Sequence, residues 1–75
     1  MKRLYAYVSD AGTFYICQVA GRYLTMFESR LLDSYATAER AARQLAVSRQ
    51  LSLPQGFTFD ELEIPADLHQ WEVLE

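Results

Sequence analysis

Two short turn signals bracket the most restrictive stretch of this sequence. Ser9-Asp10-Ala11-Gly12 and Ala20-Gly21 flank residues 13–19, a run of β-branched and aromatic side chains that reads as a strand. Links this short return the chain alongside itself, so the neighbouring strands must pair with it antiparallel. Upstream, Leu4, Ala6 and Val8 alternate with Tyr5 and Tyr7, the period-2 pattern of a strand. Downstream, residues 23–28 extend the series. The expected architecture is a three-stranded antiparallel meander, with residues 31–35 as a candidate fourth, shorter extended segment.

A change of period marks the helix. Thr37 is a fitting N-cap, because its hydroxyl can accept from the free N–H groups of a first turn. Ala38, Ala41, Ala42 and Leu45 then fall at i, i+3, i+4 and i+7, one apolar stripe on a helix over 37–47. Glu39 and Arg43 stand at i, i+4 in the favourable order. Small residues on the stripe let the helix axis lie close to the sheet.

Beyond residue 47 the pattern is broken. Leu51, Leu53, Phe57, Phe59, Leu62 and Ile64 are apolar at mostly alternate positions, interrupted by the turn signal Pro54-Gln55-Gly56. Pro65 prevents a helix from running through. Asp67 is placed to cap a last helical turn, with Gln70 in the reciprocal position and Leu68 and Trp71 on a shared face. The chain therefore reads as one α+β domain, β-β-β-α, over residues 1–75. The meander takes 1–35, the helix 37–47, and an irregular C-terminal segment, 48–75, packs on the sheet and ends in a short helical turn.

Both faces of the sheet are apolar. In the second strand Phe14 and Ile16 oppose Tyr15, Cys17 and Val19; in the third, Leu24 and Met26 oppose Tyr23 and Phe27. One helix covers one face. The other is left for the C-terminal segment, a second copy of the chain, or a ligand. With 51% hydrophobic and 13% aromatic residues, disorder is excluded and some rings must lie near the surface.

Charge is unevenly spread. The net charge is −3. Every Lys and Arg falls within residues 1–50, which carry a net +3, whereas residues 51–75 carry only acids and a net −6. The simple reading is a tail whose acids lie near the basic half. Residues 4–10 are too short and too aromatic for a signal-peptide core, and no apolar run approaches the ~20 residues of a membrane span. The expected setting is a reducing cytoplasm, without a membrane.

The catalytic chemistries find little support. One Cys and one His do not make a metal site, so no metal or cofactor is expected. Cys17 falls mid-strand, where a free thiol behaves as a small hydrophobe. Ser34, His69 and Asp60 lack any nucleophile motif around them. Asp60, Glu61 and Glu63 read as a solvated acidic loop, and Gly12, Gly21 and Gly56 are each isolated in turns, unlike a phosphate cradle. The expectation is a non-enzyme: a protein-interaction or regulatory adaptor module.

Its expected binding surface is an aromatic sheet face of Tyr5, Tyr7, Tyr15 and Tyr23 bordered by Arg22. The partner would be a protein, with a homodimer as a further option for so small a core. The alternative is a nucleic-acid partner. In order of elements the chain resembles the plant AP2-type and phage integrase arm-binding domains, which lay a three-stranded sheet in the major groove. Arg3, Arg22 and Arg30 would then supply the contacts. Seven basic residues against ten acids disfavour that reading.

Several runs together carry a resemblance: GTFYI at 12–16, GR at 21–22, LDSY at 32–35, ATAERAARQLA at 36–46 and IPADLHQW at 64–71. The chain resembles a group of short bacterial proteins with no assigned activity, which share G-T-F-aromatic-I, G-R-aromatic, L-G-S-Y, an Ala-rich helix and a terminal leucine-to-tryptophan pattern. Asp33 stands where that pattern usually has Gly, which implies a different turn geometry. The resemblance implies a bacterial origin and a domain spanning nearly the whole chain. It implies no catalytic residues.

Overall fold

The computed structural model describes residues 2–47 and 64–74. Strands β1 (Lys2–Ser9), β2 (Gly12–Val19), β3 (Arg22–Phe27) and β4 (Arg30–Tyr35) run as a continuous antiparallel meander. Helix α1 (Ala38–Val47), a 3₁₀ turn (Leu68–Gln70) and a two-residue strand β5 (Glu72–Val73) follow. The sheet order is β4-β3-β2-β1-β5.

The meander thus has four strands rather than three, and the candidate fourth segment is a full partner of β3. Its pairing runs from Phe27 opposite Arg30 to Tyr23 opposite Tyr35. Two features hide it in the sequence. The link Glu28-Ser29 contains no Gly, Pro or Asn, and is made by Glu28 at φ 55, a left-handed conformation uncommon for such a residue. A bulge between Thr25 and Met26 then skips Leu32, so apolar alternation fails in the middle of β4.

The C-terminal strand is a second correction. The sequence reading ends in a helical turn, and the turn is there: Asp67 caps it by accepting from the His69 N–H at 2.9 Å. Directly afterwards the chain extends and pairs with β1, Val73 opposite Tyr5 and Glu72 opposite Ala6. The Leu74 N–H donates to the Leu4 carbonyl at 2.9 Å. Two residues are too few to show a period. Residues 51–62, with their alternation around Pro54-Gln55-Gly56 and the acids Asp60 and Glu61, lie outside the described residues, and so does any packing of that stretch on the sheet.

The hairpin turns follow from backbone chemistry. Ala20 (φ 50) and Gly21 (φ 80) are both left-handed, the geometry that matches a two-residue link to the twist of its strands. Gly12 sits at φ 147, and a Cβ there would meet the Phe27 ring and Glu28 Oε1 at 2.9 Å. Only glycine fits both constraints.

Register sorts the sheet into cross-strand rows. Facing α1 are Tyr7–Phe14–Phe27–Arg30, Tyr5–Ile16–Thr25–Asp33 and Lys2–Gln18–Tyr23–Tyr35. Phe14, Ile16 and Phe27 form one buried cluster with Ala38, Ala41, Ala42 and Leu45 of α1 and with Ile64 and Trp71. The alanine stripe packs as its spacing predicts. Thr37 Oγ1 accepts from the Arg40 N–H at 3.1 Å, capping the helix. All the described elements outside the sheet therefore pack on one side of it.

Candidate functional site

The opposite, outer face is built from two full rows. Ala6–Tyr15–Met26–Leu31 crosses all four strands of the meander, and Arg3–Cys17–Leu24–Ser34 runs beside it. Val8, opposite Thr13, and Val19, opposite Arg22, close the two ends. Ala6, Cys17 and Met26 are shut off from solvent in the middle, whereas Val8 is 72% and Leu31 58% exposed. The result is a sealed apolar centre with an open apolar margin.

Two contacts shape this face. The Arg3 guanidinium stacks 4.4 Å over the Tyr15 ring, an arrangement that holds the cation against the sheet. Cys17 Sγ approaches Met26 Sδ at 3.7 Å. Burial pushes the Cys17 thiol above its ordinary range, and the nearby Arg3 charge only partly offsets this. The thiol stays protonated and packs as an apolar group. β1 to β4 place no carboxylate among these rows. Glu72 of β5, opposite Ala6, brings an acid to the margin.

The four tyrosines expected to share a platform are divided. Tyr5, Tyr7 and Tyr23 face α1 and pack against the core cluster; Tyr15 alone lies on the outer face. Tyr7 is 5.8 Å from the Trp71 ring, and the Tyr23 hydroxyl accepts from Gln18 Nε2 at 3.3 Å. The expected aromatic face is therefore split between core and exterior. The three arginines are divided too. Arg3 and Arg22 come to the same end of the outer face, but Arg30, opposite Phe27, is at the other end of the sheet.

Two concavities lined by described residues lie beside α1. The larger groove, about 610 Å³, is lined by Tyr5, Glu39, Arg43, Asp67, Leu68 and Val73, among others. His69 stands at its margin, 96% exposed, with Nδ1 3.2 Å from Asp67 Oδ1. It is far too open to act as a triad base. The second is a notch where β3, β4 and α1 meet, lined by Arg22, Ser34, Tyr35, Ala36, Arg40 and Gln44. Arg22 Nε donates to Ser34 Oγ at 3.0 Å.

Asp33 flanks the notch. Its carboxylate accepts from the Ser34 N–H at 2.8 Å and from the Tyr35 hydroxyl at 3.4 Å. The Tyr35 phenol is raised above its usual range, first by burial, then by the Asp33 charge and by the bond to it. Sequence reasoning picked out Arg22 but missed Arg40 and Gln44. Their signal is their i, i+4 spacing on a flank of α1 away from the alanine stripe.

Among the described residues no group of three or more His, Cys, Asp or Glu could hold a metal ion, and no helix is long and apolar enough to cross a membrane. Comparison of the chain with protein-family models, curated proteins and solved structures finds no match.

Proposed function

We propose that this chain is a small non-catalytic interaction module, a regulatory adaptor, whose outer sheet face docks a partner protein. The single observation that carries the reading is the row Ala6–Tyr15–Met26–Leu31 with Val8 beside it. Its centre, Ala6 and Met26 with Cys17 beside them, is already dry within the chain, and what stands open to a partner is the apolar margin at Val8 and Leu31. Exposed apolar margins around a dry centre are what a partner covers with gain. Arg3 and Arg22 at one end, with no carboxylate from β1 to β4 between them, select a partner surface that joins apolar side chains to acidic ones.

A non-catalytic role draws support from the reactive groups themselves. The Cys17 thiol is buried and held protonated, and the Ser34 hydroxyl is engaged by Arg22 rather than by a base. A bacterial, cytoplasmic setting and kinship with the short bacterial proteins described above belong to the same proposal.

The test is capture with the full chain and with a Val8→Glu/Leu31→Glu variant whose circular dichroism matches the parent. A protein retained by the parent, lost by the variant and displaced by moderate salt supports the reading. An identical captured set overturns it. Light scattering at two concentrations reads a homodimer instead, if the mass doubles and the variant reverses it.

Nucleic acid is the second reading, favoured only by the pairing of Arg3 and Arg22 on one face. Its mark would be an affinity for duplex DNA that falls steeply with salt. A salt-independent affinity would exclude it.

A further inference from the structure

We propose that the notch between β3, β4 and α1 binds a small phosphate-class oxyanion, held by Arg22 and Arg40 with Ser34 and Gln44. This goes beyond the docking role of the outer face and does not depend on it.

Three elements converge to make the notch. Arg22 comes from the start of β3, Ser34 and Tyr35 from the end of β4, and Arg40 and Gln44 from one flank of α1. Arg22 is not a loose surface cation: its Nε donates to Ser34 Oγ at 3.0 Å. That bond fixes the plane of the guanidinium and leaves its two terminal amino groups as donors. Ser34 Oγ accepts from Arg22, so its own proton is available to a ligand. Arg40 and Gln44, one turn apart, add a second fork and an amide to the same hollow.

The charges around the notch are sorted to leave it cationic. Glu39, the acid of the first helical turn, lines the groove on the other flank of α1. Among the described residues no carboxylate lines the notch. The nearest in sequence, Asp33, accepts from the Ser34 N–H and the Tyr35 hydroxyl and keeps its negative charge at the rim, against which the two cations Arg22 and Arg40 leave the hollow net positive. Among the described residues neither Arg22 nor Arg40 is in an ion pair. Two forks and two neutral donors, with no carboxylate among the described lining residues, match the several acceptor oxygens of a phosphate better than the two of a carboxylate. The helix terminus itself is not part of the argument, since Thr37 already caps it.

The experiment is a titration of the full chain, followed by two-dimensional proton–nitrogen NMR at constant ionic strength, with inorganic phosphate, O-phosphoserine, acetate and a short DNA duplex as separate arms. The expected result is saturable movement of the Arg22 Nε–H, the Gln44 side-chain amide and the Ser34 and Ala36 N–H signals. Phosphate or phosphoserine should produce it, with acetate clearly weaker. Whichever of the two binds tighter identifies the source as the free ion or an ester. Arg40→Gln, on an exposed helical position, should weaken binding about fivefold, the loss expected for one exposed charged contact. Arg40→Lys, which keeps charge without the fork, should fall between. Linear, non-saturating shifts, equal response to acetate, or indifference to Arg40→Gln in a chain that keeps its spectrum would overturn the site. Saturation by the duplex alone would overturn it in favour of nucleic acid.

Discussion

Trp71 and Tyr7 meet at a ring separation of 5.8 Å and a tilt of 49°, which fastens the C-terminal residues to the first strand through the core. The indole also donates from Nε1 to the Pro65 carbonyl at 2.9 Å, and Trp71 is only 3% exposed. Its apolar surface and its polar handle are both satisfied. Trp71→Ala should cost about 3–5 kcal/mol, read from urea denaturation. Trp71→Phe should cost less, losing chiefly the hydrogen bond and part of the volume.

Backbone geometry gives two substitutions of opposite sign. Gly12→Ala adds a Cβ at 2.9 Å from the Phe27 ring and Glu28 Oε1, at φ 147. It should destabilise by roughly 2 kcal/mol or more. Ala20→Asn places a residue tolerant of the left-handed region at φ 50. It should stabilise by about half a kcal/mol. Melting temperatures of the two variants should move in opposite directions from the parent.

Helix α1 is anchored at its start by one hydroxyl. Thr37→Ala removes the acceptor for the Arg40 N–H and should cost about 1 kcal/mol, whereas Thr37→Ser should restore most of it. Because Arg40 lines the notch, the alanine variant should also blur phosphate binding there.

Alkaline pH should weaken the fold. Cys17 and Tyr35 both have raised values in the folded chain, so below their unfolded values, about 8.5 and 10, both states hold the proton and stability is constant. As pH rises past those values the unfolded chain ionises first, and stability falls until the folded groups ionise too. Denaturation midpoints should therefore drop from about pH 8.5 upward, and Tyr35→Phe should flatten the upper part of that decline. Native Cys17 should react with a thiol reagent only as fast as the sheet opens. Rapid labelling under native conditions would contradict its burial.

The helix and the first two hairpins were legible because each rests on a local rule. Thr37 caps, the alanines fall on one stripe, and two-residue links at 10–11 and 20–21 leave no choice but antiparallel return. The split of the tyrosines follows from the hairpin register: with Ser9 opposite Gly12, Tyr7 falls opposite Phe14 on the core side. What alternation within each strand could not convey was register between strands. β4 was faint because Leu32 is skipped by a bulge and Glu28-Ser29 contains no Gly, Pro or Asn. β5 was invisible, since its pairing comes from a neighbour distant in sequence. The notch shares that difficulty: Arg22, Ser34 and Arg40 are brought together by topology, not by spacing.

The pairing of β5 with β1 gives the sheet a clasp of a different kind from its hairpins. Each hairpin joins residues close in sequence and can zip early, but the clasp must wait until the first strand already has a formed edge. It can also let go alone, because the four strands of the meander keep their own ladders when it does. Amide exchange at Leu74, whose N–H closes the clasp on Leu4, will then run faster than at Ile16 in the centre of the sheet. A partner or neighbouring strand competing for that edge would act on the opened clasp and leave the meander whole.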